Sequence, residues 1–105
     1  MFKIVAIWGD VKPAEAAAFE AHYRDVHLPL ARNVPGLRDL ELVRTDKGLE
    51  GGDAGFYRLA VLAFDSEAAM HKSAESPEWT AMRQDAGTMI ERFGCSLTVG
   101  TGADG

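Results

Sequence analysis

Phe56-Tyr57-Arg58-Leu59-Ala60-Val61-Leu62-Ala63-Phe64-Asp65 is the stretch from which the fold follows. In an extended strand successive side chains point to opposite faces of the sheet. Phe56, Ala60, Leu62 and Phe64 then share one side with Arg58, and Tyr57, Leu59, Val61 and Ala63 take the other. Both sides are apolar. Residues 2 to 8, Phe-Lys-Ile-Val-Ala-Ile-Trp, repeat the feature, with Phe2, Ile4, Ala6 and Trp8 opposed to Val5 and Ile7. An antiparallel sheet with one wet face would alternate apolar with polar residues instead. Both faces of this sheet therefore need a cover.

The flanking sequence supplies one. Gly9-Asp10 closes the first strand, and Pro13 sits where a first helical residue belongs, since its missing N–H costs nothing there. Ala16, Phe19, Tyr23, Val26 and Leu30 recur at three- and four-residue spacing, the stripe of a helix packed on a core. Pro29 disfavours helical geometry at Leu28 and would collide with the carbonyl of Asp25. The regular helix is expected to end near His27, with residues 28–34 irregular or kinked. Pro35-Gly36 turns the chain into a second strand over 37–45, and the glycine-rich segment 46–55 reads as a hairpin loop before the strand 56–65. Asp65 or Ser66 caps a short helix to about Ser73, and Ser76-Pro77-Glu78 opens another. That second helix carries Trp79, Met82, Ala86, Met89 and Phe93 at helical spacing and stops at Gly94. Residues 95–100 make a last strand, and 101–105 read as a frayed tail.

The order β-α-β-β-α-β predicts a single α+β domain over residues 1–105, ferredoxin-like, with a four-stranded antiparallel sheet and its helices on one face. The other face has no cover within the chain. The economical cover is the same face of a second copy, so a homodimer joined through the sheet is expected.

Composition narrows the function classes. At 105 residues there is room for one domain, and 47% apolar with 26% charged residues is an ordinary globular mixture. Eleven Lys and Arg against sixteen Asp and Glu give a net charge of −5, which repels polyphosphate and anionic lipid. Nucleic acid and membranes are accordingly not expected as partners. Met1-Phe2-Lys3-Ile4 opens directly into strand-like sequence, and a cytoplasmic location is expected. The lone Cys95 rules out an internal disulfide and alternates with Leu97 and Val99 as a small hydrophobe would. The glycines at 48, 51, 52 and 55 match no phosphate-binding loop. His22 and His27, five residues apart, fall about 140° from each other on a regular helix and cannot chelate one ion from it. No metal and no cofactor is therefore expected.

His27 stands apart from the other histidines. It flanks the apolar stripe beside Tyr23, and Pro29 ends the helix beneath it, a place where a cavity can open. A partly shielded imidazole there is poised for proton transfer near neutral pH, or it satisfies helix-terminal carbonyls and the helix dipole. Tyr23 and Trp79 are equally two-sided, being either core or pocket wall.

The segment Phe19-x-x-x-Tyr23-x-x-x-His27-Leu28-Pro29-Leu30, followed by Pro35-Gly36-Leu37 and later by Ser76-Pro77-Glu78-Trp79, resembles the EthD family of ethyl tert-butyl ether degradation proteins, within the dimeric α+β barrel superfamily. The resemblance runs over nearly the whole chain and implies two ferredoxin-like subunits whose sheets close face to face. It also implies a setting in small-molecule catabolism. Related barrels include cofactor-free isomerases, dehydratases and monooxygenases that use the space between helices and sheet. On this resemblance His27 and Tyr23 are the candidate catalytic pair, with Trp79, Phe19 and Leu30 as walls for a small, mostly apolar or aromatic compound. Two alternatives stay open: a non-catalytic carrier or accessory of an oxygenase system, and a structural dimer without ligand.

Overall fold

The computed structural model describes all residues, Met1–Gly105. Strand β1 (Phe2–Gly9) leads through a 3-10 turn at Pro13–Glu15 into helix α1 (Ala16–His22). A wide π turn, Tyr23–His27, joins it to α2 (Leu28–Arg32), and β2 (Asp39–Arg44), β3 (Arg58–Phe64), α3 (Glu67–Ser73), α4 (Pro77–Phe93) and β4 (Ser96–Ala103) follow. The four strands form one antiparallel sheet in the order β2-β3-β1-β4. This is the ferredoxin-like arrangement expected from the element order.

The register decides which side chains face the helices. Ile4 lies between Leu62 and Thr101, Ala6 between Ala60 and Val99, and Trp8 between Arg58 and Leu97. Leu40 and Leu42 continue these rows on β2, opposite Leu62 and Ala60. The helices cover this face in two clusters. One gathers Ile4, Leu62 and Phe64 with Ala31, Met70 and Met82, and the other gathers Trp8 with Phe19, Tyr23, Met89, Phe93 and Cys95. On the opposite face Val5, Ile7, Leu59 and Val61 keep partial exposure, and Val43 is exposed.

Local signals in the sequence fold as their chemistry dictates. The Ser66 hydroxyl accepts from the Ala69 N–H and that of Ser76 from the Trp79 N–H, each at 3.1 Å, which satisfies donors that a helix start leaves open. Gly94 ends α4 at φ 61°, in the left-handed region where a side chain is disfavoured.

Two expectations need correction. Residues 101–105 are not a frayed tail, because β4 pairs with β1 as far as Ala103, opposite Phe2. Asp104 then receives both the N-terminal ammonium and Lys3 at 2.7 Å. The Lys3 hydrogen bond, with the N-terminus beside it, pushes the Asp104 carboxyl down to about 2. The helix also does not end near His27. It continues to Arg32, and the interruption is absorbed by the π turn, in which the Leu28 N–H reaches the Tyr23 carbonyl five residues back. An extra residue in the turn accommodates Pro29, whose ring would collide with the Asp25 carbonyl in α geometry.

Candidate functional site

A cavity of about 160 Å³ lies between the helices and the helix-facing side of the sheet. Its floor is the rows set by the register, Ile4, Ala6, Ala60, Leu62, Leu97 and Val99, and α4 walls it with Trp79, Met82 and Ala86. Those α4 positions recur at three and four residues, so one helix face presents them together. The polar residues of the lining are His27, Arg83 and Thr101, with Tyr23 also in the wall. No carboxylate lines it.

Of the five candidate residues, the structure brings Tyr23, His27 and Trp79 together in the cavity wall. Phe19 and Leu30 lie outside it. Phe19 is fully buried behind Tyr23, stacked on its ring at 5.6 Å, and Leu30 is half-buried against the core cluster of Ile4, Ala31, Leu62 and Met70 without reaching the cavity. Leu28 and Ala31 take the wall positions instead, because the π turn rotates α2 relative to a continuous α-helix.

The π turn also gathers what a regular helix would separate. His27 Nδ1 lies 2.9 Å from Asp85 Oδ2, and His22 Nε2 lies 3.0 Å from Oδ1 of the same carboxylate. His22 and His27 therefore share one partner, which the roughly 140° separation of a regular helix would not allow. The three side chains are between 10% and 13% exposed. Arg92 Nη1 faces His22 Nδ1 at 3.5 Å, which makes that nitrogen the acceptor and leaves the Nε2–H to be donated to Asp85. No group of three or more His, Cys, Asp or Glu side chains is arranged to hold a metal ion.

His27 sits in an aromatic box. Trp8 meets it edge-on at 5.6 Å and Tyr23 stacks on it at 5.8 Å. Burial lowers its pKa below the ordinary histidine value, and the Asp85 hydrogen bond offsets only part of that. With Nδ1 donating to Asp85, its Nε2 has no protein partner. The Tyr23 hydroxyl is likewise buried and unpartnered, and burial raises its pKa. Arg58 lies over the Tyr23 ring, 4.7 Å from its centroid, and is itself held by the Glu20 carboxylate. Glu20 also accepts from Tyr57 Oη at 3.0 Å, and the Arg58 hydrogen bond above all holds its pKa down. The carboxylates nearest His27 in the chain, Glu20 and Asp25, are both engaged elsewhere. Glu20 is taken by Arg58, and Asp25 pairs with Arg24 in solvent.

Asp85 escapes a reading of the sequence because its partners lie 58 and 63 residues away. One signal was present. Asp85 falls three residues after Met82 and four before Met89, on the edge of the apolar stripe of α4, where an unpaired charge would be expensive.

Comparison with known proteins agrees with this architecture. A protein of the thcB-thcC intergenic region of Rhodococcus erythropolis, of 11.0 kDa and uncharacterised, is 32% identical over 78 residues, 74% of this chain and 73% of its own. An EthD family protein of Bacillus halodurans superposes with a TM-score of 0.87 at 28% identity, covering 100% of this chain and 99% of that one. A protein of Deinococcus radiodurans named for antibiotic biosynthesis monooxygenases shares the fold, with a TM-score of 0.69 at 15% identity over 100% of this chain and 93% of its own. Residues 12–92, a span that includes His22, Tyr23, His27 and Asp85, match the EthD domain model, and the chain belongs to the EthD family.

Proposed function

We propose that the cavity binds a small, mostly apolar or aromatic compound of catabolism and that His27 acts in it as a general acid–base, without a bound cofactor. One arrangement supports this: His27 lines an apolar cavity while Asp85 holds its Nδ1 at 2.9 Å. The carboxylate fixes the tautomer, so the neutral ring turns a lone pair at Nε2 to the ligand. Burial keeps the ring neutral near pH 7.

A carbon acid bound there would lose a proton from carbon to Nε2, and the C–H electron pair would move into an adjacent carbonyl or ring. Asp85 stabilises the imidazolium formed, and the Tyr23 hydroxyl is free to donate to the oxygen on which charge develops. Return of the proton to another carbon completes an isomerisation. Delivery to a departing hydroxyl completes a dehydration. A positioned base of this kind is worth about 10²–10⁴-fold in rate. The volume is similar to the roughly 150 Å³ apolar cavity known to admit benzene, so the substrate class is a single ring or a compound of that size.

The working unit is a homodimer. Its support is the apolar sheet face of Val5, Ile7, Leu59 and Val61, which no helix of this chain covers.

Turnover of lactones, phenols and small polyketide-like aromatics tests the enzyme reading. His27→Gln is expected to lower turnover of any substrate found by at least about 10²-fold. Equal turnover by wild type and variant would overturn it. Ligands that raise the melting temperature with no turnover would favour a carrier instead.

A further inference from the structure

Most of the cavity lining is buried, and its exposed members mark the opening: Arg83 on α4 and Val99 and Thr101 on β4. Arg83 is the one arginine of the lining. Arg24, Arg38, Arg44 and Arg58 each pair with a carboxylate, whereas Arg83 has no ion pair and no hydrogen bond to another side chain. Its helical neighbours three and four residues away are Trp79, Thr80, Ala86 and Gly87, none of them acidic. The lining itself contains no carboxylate that could take it.

Among the buried lining residues, Tyr23 carries a second unpaired group. The Tyr23 residue is 1% exposed, and its hydroxyl has no protein partner, which costs free energy that a polar atom on a ligand would relieve. The lining is thus mostly apolar, with an unneutralised cation among its exposed members and, among its buried ones, Tyr23 with an unpaired hydroxyl and its ring stacked on His27. We infer that the ligand is a ring compound bearing one ionised carboxylate, bound with the carboxylate on Arg83 at the mouth and the ring inward against Trp79, toward Tyr23 and His27. The inference rests on the cavity being the binding site. It adds the ligand's charge and its direction of entry. A guanidinium matches a carboxylate with two parallel N–H donors, and no carboxylate of the protein competes for Arg83. Thr101 lies in the same opening.

Trp8 and Trp79, the two tryptophans of the protein, both line the cavity, so intrinsic fluorescence reports its occupancy. Benzoate and benzyl alcohol, of like shape but different charge, would be titrated at about pH 7.5, where the benzoate carboxylate is ionised. Benzoate is expected to bind about tenfold more tightly than the alcohol. Arg83→Gln should abolish the difference and Arg83→Lys should restore part of it. Equal binding of the two compounds to the wild type would overturn the charge assignment and leave the cavity as the binding site. A preference for benzoate that survives in Arg83→Gln would overturn the role of Arg83. If neither compound alters the fluorescence or the melting temperature, the cavity reading falls together with the inference.

Discussion

At His27 two effects oppose each other. Burial against Trp8 and Tyr23 penalises the imidazolium, and the Asp85 carboxylate favours it; burial is the larger, so the folded pKa lies below the ordinary 6.5. The unfolded chain then binds this proton at a higher pH than the native protein does. The stability this group contributes is complete above about pH 6.5 and is lost as pH falls toward and through the folded value. NMR titration should place the His27 midpoint below 6.5, and the melting temperature should fall on acidification through that window, less steeply in His27→Gln. A midpoint at the value of a solvated imidazole would remove the basis for a shielded base. At Tyr23 the unpartnered hydroxyl sets the direction. Tyr23→Phe keeps the ring stack with Phe19 and His27 and removes a buried group without a partner. It should leave the ligand-free protein as stable or about 1 kcal/mol more stable in urea unfolding, while slowing turnover. Destabilisation by that amount would mean that the hydroxyl already has a partner in the folded protein. That His27 and Tyr23 lie side by side was legible in the sequence from their four-residue spacing on the helix, but their link to Asp85 was not, because nothing local connects it to them.

The element that assembles the site is the π turn Tyr23–His27. A turn of this kind is rare and persists where something compensates, here the two imidazole bonds to Asp85 on α4 and the relief of Pro29. Pro29→Ala removes the steric reason for the wide turn. The helix should then tighten toward α geometry and return His22 and His27 to about 140° apart, so that Asp85 holds only one. The measurement is the pair of hydrogen-bonded imidazole N–H resonances, expected to fall from two to one at low temperature. Two persisting resonances would show that Asp85 alone maintains the turn. Pro29 was legible as an interruption. Its form was not, since proline forbids the α turn without stating whether the chain leaves the helix or widens it.

For the whole molecule the sheet is the decisive surface. β1 and β3 are the central strands, and Val5, Ile7, Leu59 and Val61 lie side by side on the face away from the helices, with Val5 opposite Val61 and Ile7 opposite Leu59. A subunit of 11.4 kDa should run at about 23 kDa by light scattering at micromolar concentration. A monomer there would overturn the dimer. Leu59→Asp places a charge in the middle of that face and should give insoluble or unfolded protein in place of a soluble dimer. A stable, monodisperse monomer of the variant would show that folding does not depend on the pairing.

The sequence by itself determined the elements and their layering. Alternation in the strands, the stripes of the two long helices, the serine caps and Gly94 are local signals, each written within a few residues of where it acts. They also sufficed to show that one sheet face lacks a cover. Only the tertiary structure decided how far the ends and turns extend and which residues meet. β4 runs on to Ala103 because β1 offers partners across the sheet, although the glycines there carry little strand preference of their own. His22, His27 and Asp85 converge because α4 lies against a turn whose width no periodicity encodes. Arg83 acquires meaning only from the absence of a carboxylate around it, a property of neighbours in space that adjacent positions in the chain do not carry.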